Sequence, residues 1–422
     1  MVVVGIALFA FGILVSLGLH EAGHALAARA FGMRVTRFFV GYGRTLFSFR
    51  RREIEYGVKA IPAGAFVTIV GMVRQDSTDP ETDDPKAMWR FPVWKRTAVM
   101  AAGIGANVLF GIVLLWGVFA FVPLPDSHGL QTEPVTLAAV SECVETTFSV
   151  DAATGRQNAC RPGADPASAA SRLGLRPGDV ITTIDGRPVR GWDTVADRVH
   201  AAGGRTITVG YERDGRARTG SVPVPVAEQV RPEVLADPKR TASSITADDL
   251  ERVGVLGITP RIPESTAGPV GAIGLTTRQT TAMIGGTFSS LAHLPQRIPA
   301  LWASLTGGER QTDSPVSLVG ASHLGGQLAD RGQWASFVLL LAGLNFFLAA
   351  FNLLPLLPLD GGHLAIMWFE RARSWIWARL RRPDPGFVDY YKLAPLTYVA
   401  ILLFAAFTLL TVAADVVNPI AI

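Results

Sequence analysis

The segment His20-Glu21-Ala22-Gly23-His24 places two imidazoles four residues apart, with a carboxylate beside the first. On an α-helix such residues share a face, so both rings can aim a nitrogen at one ion while Glu21 reaches the neighbouring position. Two ring nitrogens and a third protein donor form the coordination set of a catalytic zinc site, which keeps one position for water and lowers its pKa to about 7. A nearby carboxylate then serves as general base, and Glu21 is that candidate. The third donor must come from elsewhere. Asn352-Leu353-Leu354-Pro355-Leu356-Leu357-Pro358-Leu359-Asp360-Gly361-Gly362-His363 offers both Asp360 and His363. Carboxylate completion of a His-Glu-x-x-His pair has precedent and favours Asp360, with His363 as the competing ligand.

The elements that must position these groups are apolar. Of the 422 residues 49% are hydrophobic, more than a soluble protein needs. A helix crosses a bilayer with about 20 mainly apolar residues. Four stretches qualify: 1–31, which carries the His-Glu-x-x-His pair, 97–122, 334–363, which ends in the Asp360 segment, and 393–414. Ionisable groups at membrane depth are costly and functional by default. Pro355 and Pro358 interrupt the third stretch, and broken helices at that depth are tolerated only inside protein or beside a water-filled cavity. A hydrolytic site in a bilayer requires such a cavity.

Charge placement orients the spans. The 39 basic and 35 acidic residues leave a net charge of only +4. Arg29, Arg34, Arg37, Arg44, Arg50, Arg51 and Arg52, then Lys95 and Arg96, gather between the first two spans, and Arg371, Arg373, Arg379, Arg381, Arg382 and Lys392 between the last two. By the positive-inside rule the loops 32–96 and 364–392 are cytoplasmic. The N-terminus, the long region 123–333 and the C-terminus then lie outside a multi-pass plasma (inner) membrane protein. Basic residues so tied to spans give no reason to expect nucleic acid as a partner. The first apolar run lacks a basic leader and a cleavage site, so it is read as a span and not as a signal peptide. Cys143 and Cys160 fall in the outside region, where a disulfide or two free thiols are both compatible, and two cysteines alone make no zinc site.

Between the spans, apolar residues alternate at Ile54, Tyr56 and Val58, predicting a strand or hairpin over 53–59 in a cytoplasmic or membrane-dipping loop. Residues 76–85 are acidic and turn-rich, as in a surface loop. The small residues of Ala101-Ala102-Gly103-Ile104-Gly105-Ala106-Asn107 let another helix approach closely. Outside, Leu173-Gly174-Leu175-Arg176-Pro177-Gly178-Asp179 leads to a strand, an Asp185-Gly186 turn, a helix near 192–202, the strand 206–211 and a second turn at Asp214-Gly215. This order resembles a bacterial PDZ domain over 135–228, a module that captures extended peptides along a sheet edge. Residues 229–333 read as an extracytoplasmic linker with surface helices, one of them amphipathic near 276–305.

His20-Glu21-x-x-His24 in a first span and Asn352-x-x-Pro355-x-x-x-x-Asp360-Gly361 in a third resemble the site-2 protease family of intramembrane zinc metalloproteases. A PDZ-like insert between spans two and three is similar to the bacterial branch that includes the regulator-of-sigma-E protease and its actinobacterial relatives. Only one PDZ signature is evident, where some relatives carry two. The expected fold is a polytopic α-helical membrane protein of four transmembrane helices, with a membrane-associated β-hairpin and an extracytoplasmic PDZ-like α+β domain. The resemblance implies that His20, His24 and Asp360 hold one Zn2+ and that Glu21 is the catalytic base. It implies that Asn352 holds the substrate backbone or stabilises the oxyanion, with Pro355 beside it in the motif. It further implies that Ile54, Tyr56 and Val58, in the 53–59 hairpin, belong to the family's membrane-associated β element, which presents substrate as a strand. The implied substrate is a single-span membrane protein, commonly an anti-sigma factor, already shortened by an upstream site-1 protease. The alternative is a non-catalytic membrane adaptor that binds peptides through its PDZ domain and carries a vestigial metal site.

Overall fold

The computed structural model describes residues 1–422 except 73–83, 151–156, 236–244, 306–309, 311–313 and 421–422. Most of the acidic segment 76–85 therefore lies outside the described residues. The chain forms two compact units, one of Met1–Val122 with Ala267–Ile422, the other of Pro123–Thr266.

In the first unit, α1 (Val2–Ala30) leads to two long strands, β1 (Val35–Arg51) and β2 (Ile54–Ile69), and then to α2 (Val93–Phe121). The strands double back on one another. Residues 37–40 pair with 65–68 on one side and with 55–58 on the other, and 55–58 pair in turn with 47–50. The hairpin is thus far longer than the 53–59 that alternation alone indicates. Ile54 is buried with Ala28, Met33 and Met367, which fastens the hairpin to the end of α1.

The second unit runs through β3 (Leu124–Pro125), α3 (Ser127–Thr132), β4 (Val135–Val140), α4 (Ala169–Arg172), β5 (Val180–Ile184), β6 (Arg187–Pro188), α5 (Trp192–His200), β7 (Thr206–Arg213) and β8 (Arg216–Pro223). It continues with β9 (Val226–Val230), α6 (Pro232–Leu235), β10 (Leu250–Gly254), β11 (Ile258–Pro260) and β12 (Glu264–Ser265). Its main sheet has the order β11-β4-β5-β7-β8, with β6 paired to β5. Leu137, Ile181, Ile184, Val195, Val199, Ile207 and Val209 form its core, so α5 covers one face of the sheet. Asp185-Gly186 and Asp214-Gly215 turn with positive φ at both residues, the conformation that two-residue hairpins require. Cys143 and Cys160 are joined as a disulfide. The unit extends well past residue 228. β9 pairs with β10, and β11 joins the sheet beside β4, because Leu256 and Ile258 add to the same core. The described residues between 229 and 266 are therefore part of this unit and not a linker.

One polar device in this unit gives the Arg176-Pro177-Gly178-Asp179 signature a physical meaning. The Asp179 carboxylate is buried, accepts the Arg176 N–H at 2.8 Å, and receives Arg213 Nε and Nη2 at 2.7 Å each. The Arg213 guanidinium holds its pKa below the ordinary carboxylate value of 3.8. A carboxyl with a depressed folded-state pKa contributes stability that is complete above the unfolded value and lost as pH falls through the folded one. Asp179→Asn is expected to destabilise the unit by about 2–3 kcal/mol at neutral pH. Calorimetric unfolding of the full chain checks this: the gap between wild type and variant should narrow as pH falls from about 5 toward 2.

Returning to the first unit, α7 (Gly268–Leu305) precedes α8 (Leu318–Asp330), α9 (Trp334–Asn352), α10 (Asp360–Arg379) and α11 (Tyr390–Val417). Among the described residues α1, α2, α9 and α11 are the helices long and apolar enough to cross a membrane. The stretch 334–363 is not one helix. It ends at Asn352, because Pro355 and Pro358 cannot donate to a continuing ladder, and α10 starts afresh at Asp360. Much of 364–392 is accordingly helix and not loop. Buried polar groups tie α1 to α9, since Asn345 Nδ2 donates to Ser16 Oγ at 2.9 Å.

Candidate metal centre

The helical period of α1 stacks His20 and His24, whose rings meet edge to face with centroids 4.8 Å apart. Asp360, the first residue of α10, brings Oδ2 to 3.0 Å from His20 Nε2 and 3.1 Å from His24 Nε2. The two Nε2 atoms are themselves 3.2 Å apart. Both histidines are buried and Asp360 nearly so. An acidic residue at a helix start is also favoured by the helix dipole.

The donor set fits a borderline cation. His24 Nδ1 donates to the Val99 carbonyl at 2.8 Å, which leaves the Nε2 lone pair of a neutral ring facing the centre. Two ring nitrogens and one carboxylate oxygen, all within 4.8 Å of one another, make an electron-rich cluster of the kind that zinc accepts. Among the described residues no other group of three His, Cys, Asp or Glu side chains converges in this way. His363 does not join the cluster. One helical turn on from Asp360, its ring stacks on Tyr390 with centroids 6.0 Å apart.

Glu21 lies beside the cluster, and its Oε2 accepts the Val67 N–H at 3.0 Å. The strand segment beside Glu21 is therefore 65–69, and not the 53–59 stretch. Of the hairpin positions singled out from sequence, Ile54 is in the core, Tyr56 is half-buried against it, and Val58 is exposed. Asn352 ends α9, half-buried and without a side-chain hydrogen bond among the described residues, and Pro355 is exposed in the connection to Asp360.

Two groups at the centre escape a reading of side-chain types, because the Val99 carbonyl and the Val67 amide belong to the backbone. Gly103 is a third. A Cβ there would sit 2.3 Å from His24 Nε2, and one on Gly23 would sit 2.4 Å from the Ala102 carbonyl oxygen. The small residues of α2 thus seat a ring as well as a helix. Gly103→Ala should displace the His24 ring and weaken metal binding about tenfold or more, as overpacking typically costs 1–3 kcal/mol. Metal analysis after dialysis, beside an unchanged helical circular dichroism signal, measures it.

Apolar helices of membrane-crossing length around a His-Glu-x-x-His pair and a facing carboxylate define the class of membrane-type metallopeptidases. The family model described as Peptidase family M50 matches residues 8–379. The chain belongs to that family. It is 39% identical over 423 residues to the zinc metalloprotease Rip1 of Mycobacterium tuberculosis, a match that covers 100% of this chain and 99% of that one. The zinc metalloprotease Rip1 of Mycolicibacterium smegmatis is likewise 39% identical, over 427 residues, covering 99% of this chain and 98% of the relative. Among solved structures, the PDZ domain of an SdrC-like protein from Listeria monocytogenes matches 31% of this chain and 90% of its own length, at 15% identity and a TM-score of 0.18. At that score the match adds nothing to the strand order itself. Family membership together with an intact donor set favours the enzyme over an adaptor with a vestigial site.

Proposed function

We propose that this chain is an intramembrane zinc protease in which His20, His24 and Asp360 hold one Zn2+ and Glu21 is the general base. The observation that carries the reading is the convergence of three donor atoms, borne by α1 and by the helix that follows α9, among helices of membrane-crossing length. Zinc bound there supplies Lewis-acid activation of water and of the peptide carbonyl. Glu21 takes a proton from the attacking water and delivers it to the leaving amine. Its contact with Val67 fixes the carboxylate for that task and sets strand 65–69 at its side, where a substrate unwound into a strand can pair. The substrate must be unwound first, since the amides of a helix are paired internally and closed to attack. Asn352, at the end of α9 and without a side-chain hydrogen bond among the described residues, holds the substrate backbone or its oxyanion. Pro355 keeps the connection to Asp360 out of helical conformation.

The expected substrate is a single-span protein that a first protease has already shortened, such as an anti-sigma factor. The second unit reads as a PDZ-like screen for the shortened form. The disulfide between Cys143 and Cys160 supports its placement in an oxidising, extracytoplasmic compartment, with the N-terminus on that side of the plasma membrane. Reconstitution in lipid tests the function. The chain should cut a pre-shortened single-span substrate within its apolar segment, as located by mass spectrometry, and should leave the full-length form intact. Cleavage confined to water-exposed loops would refute the intramembrane assignment.

A further inference from the structure

Beyond the metal centre, a cavity of about 370 Å3 opens between the end of α1 and the tip of the β1–β2 hairpin, lined by Arg29, Phe49, Arg51, Arg52 and Tyr56. The pleat explains the convergence. Phe49 pairs with Tyr56 and Arg51 with Ile54, so these four side chains share one face, and Ile54 pins that face against Ala28 near Arg29. Arg50, paired with Glu55, falls on the opposite face. Arg52 occupies the turn with φ of 55°, a left-handed conformation unusual for arginine. None of Arg29, Arg51 and Arg52 makes an ion pair among the described residues. Three unpaired guanidinium groups around one hollow, floored by the stacked rings of Phe49 and Tyr56, form a receptor for a phosphate-bearing anion.

The surroundings decide where that phosphate comes from. Arg29 lies in the last turn of an apolar helix of 29 residues, which sets it at the depth of lipid headgroups on the membrane-spanning reading proposed above. Along the strand that leads into that turn, Leu46, Phe47 and Phe49 are 70%, 62% and 51% accessible. Exposed apolar rings interleaved with arginines suit the boundary between acyl chains and headgroups. We propose that this cavity binds the phosphate headgroup of an anionic phospholipid. The bound lipid ties the hairpin tip to α1, and so steadies the strand that continues to Val67 beside Glu21.

The test does not depend on catalysis, so its failure is distinct from failure of the protease reading. The full chain in mild detergent is mixed with equal phosphatidylglycerol and phosphatidylcholine, and retained lipid is counted by native mass spectrometry. Wild type should retain one phosphatidylglycerol in preference to phosphatidylcholine. R51Q/R52Q should lose that preference about tenfold or more, as expected for two arginines withdrawn from an anionic headgroup. R29Q, on the opposite wall, should lose it too and decides the matter if the double variant does not fold. R44Q/R50Q removes the same charge from the same hairpin outside the cavity and should behave as wild type. Equal loss in both double variants, no preference in wild type, or displacement of the lipid by millimolar inorganic phosphate would each overturn the proposal, the last by showing that the ligand is free phosphate.

Discussion

Glu21→Gln is expected to retain zinc at the wild-type level and to lower cleavage on the order of 10³-fold, the scale of a lost general base. The amide keeps an oxygen able to accept the Val67 N–H, so strand 65–69 stays in place, and the His20, His24 and Asp360 donors are untouched. What the amide lacks is basicity. Loss of cleavage with retention of metal therefore separates proton transfer from metal binding. Single-turnover rates in lipid, paired with zinc analysis of the same samples, give both numbers. Wild-type turnover by the variant would remove Glu21 from the mechanism, and loss of zinc would make it a structural residue.

Asp360→Ala produces the second large effect, on the metal itself. Its Oδ2 lies within 3.1 Å of both imidazoles, and alanine leaves two buried nitrogens facing each other across 3.2 Å. Loss of a direct ligand should exceed the 10- to 100-fold typical of its supporting contacts, so zinc affinity is expected to fall by more than about 100-fold. Cleavage should follow it down at limiting zinc and recover in part when zinc is in excess. His363→Ala is the control. Its ring lies outside the donor group and against Tyr390, so its zinc affinity should stay near wild type. The reverse order of effects would exchange the two ligand assignments.

Much of this centre is legible in the residue types. Spacing alone puts His20 and His24 on one face, and chemistry nominates Asp360. The choice between Asp360 and His363 is not legible in spacing, because it depends on where α10 begins. That start is set by the break at Pro355 and Pro358, which makes Asp360 the first helical residue and turns His363 toward Tyr390. Alternation at 54, 56 and 58 reveals a strand but not its extent. Pro62 and Gly64 ordinarily end one, yet β2 runs through both to Ile69 and brings Val67 to Glu21. In the second unit the turn pairs Asp185-Gly186 and Asp214-Gly215 are plain in the chain. The membership of β11 is not, since its three residues join the sheet through distant pairing with β4.

The most direct measurement titrates zinc back into the metal-stripped chain in lipid while following cleavage of a pre-shortened single-span substrate. A centre built from His20, His24 and Asp360 requires activity to be absent at the start, to rise with added zinc and to saturate at one equivalent per chain, with no recovery in His20→Ala. Cleavage by the stripped chain, or full recovery of His20→Ala at one equivalent, would contradict it.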